Sequence, residues 1–230
     1  MKSTIQLKIC GLQPGDDLSF TEHPAVTHIG FIRVPASRRC VSREAMGSMV
    51  DDVRNTVQTV AVYVDESPET ILAEREMAHF DIVQLHGKES IADCSYLRQQ
   101  GLRLWKSISV KNFTSVEDVN AQIAAYSGHV EAVLLDAMPS SPRQFELQPS
   151  LTGGNGEVFD WNILPQIKTT PASPNIWVAG GIRPENAHQL LNIFRPIGID
   201  VSSGVEKNGR KSNERIDQLI KAVTSDVGPK

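Results

Sequence analysis

Apolar, strand-like runs that end in polar or glycine-rich tips recur along this chain. Four of them are Leu7–Gly11, Val83–Gly87, Val133–Asp136 and Ile199–Gly204. Their tips carry a thiol, an imidazole, two carboxylates and a turn rich in serine and glycine. A closed parallel barrel brings the carboxyl ends of all its strands to one face, where barrel enzymes build their active sites. The recurrence therefore predicts that these tips line one pocket.

Strand-like and helix-like stretches alternate from one end of the chain to the other. We count eight strands and eight helices, with no linker and no change of composition between the two halves. Strands that alternate with helices of about 10–15 residues indicate βαβ units around a parallel sheet. We predict an α/β fold with a single domain over residues 1–230, a (β/α)8 TIM barrel. An open, doubly wound sheet is the structural alternative.

One loop between a strand and the next helix is much longer than the others. Residues 137–160 follow the sixth strand directly and contain the glycine-rich run Gly153–Gly156. Loops longer than about 12–15 residues are usually functional or disordered. Glycines supply hinge freedom and accessible backbone amides. We therefore predict that residues 137–160 form a mobile lid over the pocket.

Composition excludes several classes of protein. The 230 residues carry a net charge of −4, without the basic stripe of a nucleic-acid-binding protein. No apolar run approaches the roughly 20 residues that span a bilayer, so we expect no membrane partner. The three cysteines, Cys10, Cys40 and Cys94, are too few and too far apart for a disulfide framework or a zinc site. A reducing cytoplasm is the expected location.

Cys10 is the first candidate for chemistry. Alternation along a strand puts Lys8 and Cys10 on one face and Ile9 on the other. If Ile9 packs outward on the helices, Lys8 and Cys10 point into the barrel. A nearby ammonium favours the reactive thiolate. The alternative is a buried structural cysteine, which is the commoner fate of a single cysteine.

Two aspartates raise a similar question. Asp136 ends the wholly apolar run Ala132–Leu135. Desolvation in the mouth of a barrel raises a carboxyl pKa and makes the group a usable general acid. Asp136 could instead cap a helix or fix a loop. Asp200 could equally be a pocket residue or a group that holds strand ends together through buried hydrogen bonds.

Two glycine turns follow the last two strands, Gly180-Gly181 and Ser202-Ser203-Gly204. Barrels frequently bind phosphate at the loops after strands seven and eight, where a helix N-terminus completes the site. Glycine lets backbone amides approach the phosphate, and serine adds hydroxyl donors. We therefore predict a small, phosphorylated ligand.

Arg39 and His86 complete the set of candidates. Arginine can bind a carboxylate through two parallel hydrogen bonds, although Arg39 could also be a solvated surface charge. His86 could be only a hydrogen-bonded cap at the end of its strand. The sequence has no metal-ligand spacing, no dinucleotide fingerprint and no Walker loop, so we predict neither metal nor cofactor.

Taken together, these motifs resemble the phosphoribosylanthranilate isomerase family of tryptophan biosynthesis, nearly from end to end. Each motif alone is weak, but their order and spacing are specific. The resemblance is carried by Lys8–Gly11, Gly30-Phe31 with Pro35–Arg39, Val83–Gly87, Leu134–Asp136, Gly153–Gly156 with Phe159–Trp161, Ala179–Gly181 with Pro184–Asn186, and Asp200–Glu206.

The resemblance implies an Amadori rearrangement of N-(5-phosphoribosyl)anthranilate without cofactor or metal. It implies that Asp136 is the general acid, that Cys10 is the general base and that Arg39 receives the anthranilate carboxylate. The expected substrate-binding residues are Lys8, Arg39, His86, Asp200, Gly154 and Asn155, and the expected phosphate-binding residues are Gly180, Gly181, Ser202, Ser203 and Gly204. The chain is expected to be a monomer or a homodimer.

The sequence departs from the family pattern at a few positions. Arg33 stands where the family commonly has phenylalanine, Asn155 where it has threonine and Glu157 where it has lysine. Arg33 could alter the ring pocket or pair with a neighbouring carboxylate. The competing functions are another phosphate-binding barrel enzyme and a non-catalytic paralogue that retains the pocket.

Overall fold

Eight parallel strands form a closed barrel in the computed structural model, which describes residues 5–53, 55–110, 113, 115–137 and 159–225. Each strand pairs with the next along the chain, and the eighth pairs with the first. The strands are β1 Gln6–Cys10, β2 Val26–Ile32, β3 Gln58–Tyr63, β4 Ile82–Leu85, β5 Arg103–Ser109, β6 Ala132–Asp136, β7 Asn175–Val178 and β8 Gly198–Val201. The predicted barrel is confirmed, and the open sheet is wrong.

Helices connect the strands around the outside of the barrel. The α-helices of the described residues are α1 Arg43–Val53, α2 Pro68–Ala78, α3 Ile91–Gln99, α4 Val116–Ala125, α5 Pro184–Ile193 and α6 Asn213–Thr224. Two of the predicted helices are short 3-10 helices, Ser19–Glu22 and Trp161–Gln166. Two further elements were not predicted from the sequence: a third 3-10 turn, Ser203–Val205, and the small hairpin of β9 Glu206–Lys207 and β10 Arg210–Lys211. Within the described ranges, every helix is too short or too polar to cross a membrane.

The start of α2 shows how local sequence sets these boundaries. The Ser67 hydroxyl accepts a hydrogen bond from the Thr70 amide at 3.2 Å. Pro68 occupies the first helical position, where its missing N–H leaves no bond unmade. Glu69 lies in the first turn, where its negative charge interacts favourably with the positive end of the helix dipole. Ser67, Pro68 and Glu69 therefore all favour a helix that begins at Pro68.

Alternation along the strands divides the core into two layers. Ile9 packs in the outer layer between strands and helices. Cys10 lies in the inner layer, in a cluster that includes Trp105, Leu134 and Trp177. The two tryptophan rings pack against each other with centroids 4.6 Å apart and fill the barrel interior. The open part of the barrel is therefore the mouth at the carboxyl ends of its strands.

Arg33 belongs to the outer layer. Its guanidinium donates two hydrogen bonds to Glu74, of 2.8 and 2.6 Å, and a third to the Val41 carbonyl. Glu74 also accepts a 2.8 Å hydrogen bond from the buried Tyr63 hydroxyl. The structure therefore selects the second of the two alternatives, in which Arg33 pairs with a neighbouring carboxylate.

Candidate active site

Lys8 and Asp200 form an ion pair inside the mouth. They lie opposite each other where β1 pairs with β8, and both side chains point into the barrel. The Lys8 Nζ donates to Asp200 Oδ2 at 3.1 Å, and Lys8 is fully buried. The other Asp200 oxygen, Oδ1, is buried without a hydrogen-bond partner in the described structure. The pair therefore carries one unsatisfied acceptor in a site that excludes most water.

Cys10 lies beside this pair, as the alternation predicts. Its side chain is 6% exposed. Burial raises the pKa of the Cys10 thiol, Lys8 lowers it and Asp200 raises it again. The expected effect of the ammonium is present, but burial outweighs it. The neutral thiol is therefore the favoured form of Cys10.

His86 and Asp136 meet on the other side of the mouth. Gln84 and Leu134 face the barrel interior, so His86, directly after β4, and Asp136, at the end of β6, face the mouth. The His86 Nε2 lies 3.3 Å from Asp136 Oδ2, close enough for an ion pair but not aligned as a hydrogen bond. Asp136 is 6% exposed. The structure thus brings the predicted acid and the predicted imidazole together.

Asp200 connects the two sides electrostatically. Burial raises its pKa, Lys8 lowers it, the Asp136 charge raises it and His86 lowers it. An aspartate affected by groups on β1, β4 and β6 must lie within Coulomb range of all three. The tips of β1, β4, β6 and β8 therefore share one mouth.

The two predicted phosphate turns adjoin each other. Gly180 and Gly181 have φ angles of +84° and +66°, which an L side chain rarely adopts. A Cβ at Gly180 would lie 2.8 Å from Asp136 Oδ1, and one at Gly204 would overlap the Ile182 carbonyl oxygen. The turn after β7 therefore contacts both the proposed acid and the turn after β8.

Arg39 is buried, so it is not a solvated surface charge. Its Nε donates to Glu206 Oε1 at 2.6 Å, and its Nη2 donates to Glu206 Oε2 at 3.0 Å. The Lys211 Nζ donates to the same Oε1 at 3.0 Å and to the Ser202 carbonyl at 3.0 Å. Glu206 therefore fixes the Arg39 guanidinium and ties it to the turn after β8.

Sequence reasoning missed Glu206 and Lys211 as site residues. Glu206 lies two residues after the Ser202-Ser203-Gly204 turn, and that position was the only signal. Burial by itself would raise the pKa of Glu206, but the Arg39 hydrogen bonds and the Lys211 charge outweigh it and lower the pKa to about 2. Glu206 is therefore a permanently charged carboxylate at physiological pH.

Glu206→Gln should lower the free energy of unfolding at neutral pH by about 2 kcal/mol. This value is the lowered pKa of Glu206 expressed as a free energy and reduced for screening by solvent. The folded carboxyl titrates near pH 2 and the unfolded one near its ordinary value, so the stabilisation is complete above that ordinary value and is lost as pH falls. The difference between parent and variant should shrink by about half near pH 3.

Urea unfolding at several pH values from neutral to acid measures this difference. Glu44→Gln is the matched control, because Glu44 pairs with Arg43 on the exposed surface and should change stability little at any pH. A difference between parent and Glu206→Gln that stays constant over the whole range would contradict the assignment.

Gly154 and Asn155 fall outside the described residues, as does nearly all of the predicted lid. Within the described ranges, no group of three or more His, Cys, Asp and Glu side chains is placed to hold a metal ion.

Comparison with known proteins agrees with this arrangement. The model of the N-(5'-phosphoribosyl)anthranilate (PRA) isomerase family matches residues 7–222. The N-(5'-phosphoribosyl)anthranilate isomerase of Priestia megaterium is 31% identical over 220 residues, which cover 94% of this chain and 98% of the relative.

Solved structures give the same picture. Monomers of the dimeric phosphoribosylanthranilate isomerase of Thermotoga maritima superpose with a TM-score of 0.76 at 28% identity, covering 95% of this chain and 98% of that one. A phosphoribosylanthranilate isomerase in complex with reduced 1-(o-carboxyphenylamino)-1-deoxyribulose 5-phosphate superposes with a TM-score of 0.75, at the same identity and coverage. The chain therefore belongs to the N-(5'-phosphoribosyl)anthranilate isomerase family.

Proposed function

We propose that this chain converts N-(5'-phosphoribosyl)anthranilate into 1-(2-carboxyphenylamino)-1-deoxyribulose 5-phosphate, a step of tryptophan biosynthesis, with Asp136 as acid and Cys10 as base. The observation that supports the proposal is a buried thiol at the end of β1 and a buried carboxylate at the end of β6 of one closed barrel, beside two adjoining glycine turns. An isomerisation that opens a sugar ring and moves a carbon-bound proton needs one acid and one base.

The reaction proceeds in two proton transfers. Asp136 donates a proton to the furanose ring oxygen as the bond between that oxygen and C1' breaks, which leaves an iminium ion between C1' and the anthranilate nitrogen. Cys10 then removes the proton from C2', and the C–H electron pair forms the double bond of an enolamine. Tautomerisation of the enolamine gives the ketone. One proton is donated and one is accepted, so no oxidant or reductant is needed.

The proposed binding groups flank these two residues. Gly180, Gly181, Ser202, Ser203 and Gly204 would supply the backbone amides and hydroxyls of a phosphate site. The N-terminus of α5, which begins at Pro184, would add its positive dipole end. Arg39, held by Glu206, would bind the anthranilate carboxylate.

His86, Lys8 and Asp200 would line the sugar-binding space between the two flanking anion sites. The lid over residues 137–160, with Gly154 and Asn155 as substrate contacts, stays a prediction. The single domain over residues 1–230 and the monomeric or homodimeric state also stay predictions. A cytoplasmic location also stays a prediction, supported by free thiols at Cys10, Cys40 and Cys94.

A fluorescence assay tests the proposed function. Freshly generated N-(5'-phosphoribosyl)anthranilate should lose its anthranilate fluorescence when the protein is added, and a metal chelator should leave the rate unchanged. Binding of reduced 1-(o-carboxyphenylamino)-1-deoxyribulose 5-phosphate without turnover of the substrate would contradict the proposal and favour a non-catalytic paralogue.

A further inference from the structure

The proposed reaction leaves its two catalytic groups with exchanged protonation states. Asp136 begins as the acid and ends as a carboxylate, whereas Cys10 begins as a thiolate and ends as a thiol. Before the next turnover, one proton must leave Cys10 and one must reach Asp136. The two residues lie on β1 and β6, on different sides of the mouth, so this exchange needs either solvent or an internal path.

Lys8 is placed to begin such a path. Its side chain and that of Cys10 project from the same face of β1, two residues apart. Both reach the space in front of Gly30, where a Cβ would lie 2.8 Å from the Cys10 Sγ and 3.0 Å from the Lys8 Nζ. The absence of a side chain at Gly30 therefore lets the ammonium and the thiol share this space.

Asp200 is placed to continue the path. Its Oδ2 accepts from the Lys8 Nζ at 3.1 Å, and its Oδ1 is the buried acceptor without a hydrogen-bond partner in the described structure. An unsatisfied buried acceptor is unfavourable, because the loss of its hydration is not compensated by a hydrogen bond. A transient proton on this carboxyl would make it a donor towards the carboxylate of Asp136, whose charge raises the pKa of Asp200.

We infer that Lys8 and Asp200 form an internal proton relay that returns Cys10 and Asp136 to their starting states; the inference rests on the proposed function. The Lys8 ammonium gives a proton to Asp200 and takes the thiol proton of Cys10, so one N–H bond breaks and another forms. The proton arrives on Oδ2 of Asp200, rotation of the protonated carboxyl about its Cβ–Cγ bond carries the O–H to the Oδ1 side, and Asp200 then passes the proton to Asp136. At the end Cys10 is a thiolate, Asp136 is an acid, and Lys8 and Asp200 are unchanged.

Burial lowers the pKa of Lys8, but the Asp200 and Cys10 charges outweigh it and raise that pKa, so loss of a proton from Lys8 is the uphill step and the protonated Asp200 is only transient. Burial raises the pKa of Asp200, so a proton on this aspartate is less unfavourable than on an ordinary one. Burial also raises the pKa of Cys10, so the surroundings of Cys10 do not supply the thiolate by themselves. The reaction therefore needs a neighbouring group that removes the thiol proton.

Asp200→Asn tests the relay, because asparagine can accept from Lys8 but cannot carry a proton onward. We expect kcat to fall by about 100-fold in dilute buffer, the usual scale for losing one proton-transfer group. We also expect kcat to recover as imidazole is added at constant ionic strength, because a small buffer then replaces the relay. The parent enzyme should show no response to imidazole. A purely structural or electrostatic role would give no such recovery.

The direction of the change in kcat of Asp200→Asn also separates a relay role of Asp200 from a purely electrostatic one. The Asp200 charge raises the pKa of Cys10, so a merely electrostatic Asp200 would make the asparagine variant a better source of thiolate and no slower. Lys106→Met is the matched control, because it breaks another buried lysine–carboxylate pair, with Glu89 at 3.0 Å. It should lower stability without making kcat sensitive to imidazole.

Three outcomes would overturn the relay: an Asp200→Asn variant with parental kcat, one whose low kcat ignores imidazole, or a parent whose own kcat rises with imidazole. If Asp200→Asn does not fold, Lys8→Met interrupts the same path and is read in the same way. A parent without any turnover would instead refute the proposed function, so the two failures are distinguishable.

Discussion

Cys10→Ala should lower kcat/KM for N-(5'-phosphoribosyl)anthranilate by about 10³-fold, within the range typical for loss of a general base. Alanine leaves no group that can remove the C2' proton, although the ring can still be opened by Asp136. Cys10→Ser should be about as slow, because a neutral serine hydroxyl is a far weaker proton acceptor than a thiolate. The rate of loss of anthranilate fluorescence measures both variants.

Binding must be retained for this result to be informative. The affinity for reduced 1-(o-carboxyphenylamino)-1-deoxyribulose 5-phosphate, measured by calorimetry, should stay within about threefold of the parent, because the lost interaction is made chiefly in the transition state. Cys94→Ala is the matched control: Cys94 is fully buried in the outer layer, where burial raises its pKa to about 11. A Cys10→Ala variant with near-parental turnover would remove Cys10 from the mechanism.

Alternation along single strands was enough to predict the positions of the proposed acid and the proposed base. Ile9 is apolar and packs outward, so its neighbours Lys8 and Cys10 have to face the interior of a closed barrel. Asp136 ends an apolar strand whose side chains are all buried, so its carboxylate emerges at the mouth. Local periodicity predicts both positions, and closure of the barrel puts the ends of β1 and β6 at the same face.

Contacts between distant parts of the chain could not be read in the same way. Arg39 and Glu206 are 167 residues apart, and no short-range pattern reports that the hairpin after β8 folds over the turn after β2. The sequence also places an ammonium near Cys10 but does not show how much water the barrel excludes. For this reason it predicted a lowered thiol pKa, whereas burial raises it.

The charges of the mouth form two groups with different consequences. Glu206 is surrounded by Arg38, Arg39 and Lys211, so this side of the mouth keeps an excess of positive charge beside the glycine turns. Lys8 and Asp200 neutralise each other deeper in the barrel. The first group suits the binding of an anion, and the second suits the movement of a proton without net displacement of charge.

Asp136→Asn should also lower kcat by about 10³-fold, with the KM changed much less. Asparagine preserves the shape of the side chain and its packing against Gly180, but it has no proton to give to the furanose ring oxygen. The ring would then have to open as an unprotonated alkoxide, which is a much poorer leaving group. Initial rates of fluorescence loss at saturating substrate measure kcat directly.

A matched aspartate variant separates this effect from a general loss of stability. Asp81 lies at the start of β4, at the opposite end of the barrel, where its Oδ2 accepts 2.8 Å hydrogen bonds from the Thr59 amide and hydroxyl. Asp81→Asn should lower the thermal stability and leave kcat unchanged, whereas Asp136→Asn should lower kcat and still bind the reduced product. If Asp136→Asn keeps more than about a tenth of the parental kcat, proton donation by Asp136 is not what opens the ring.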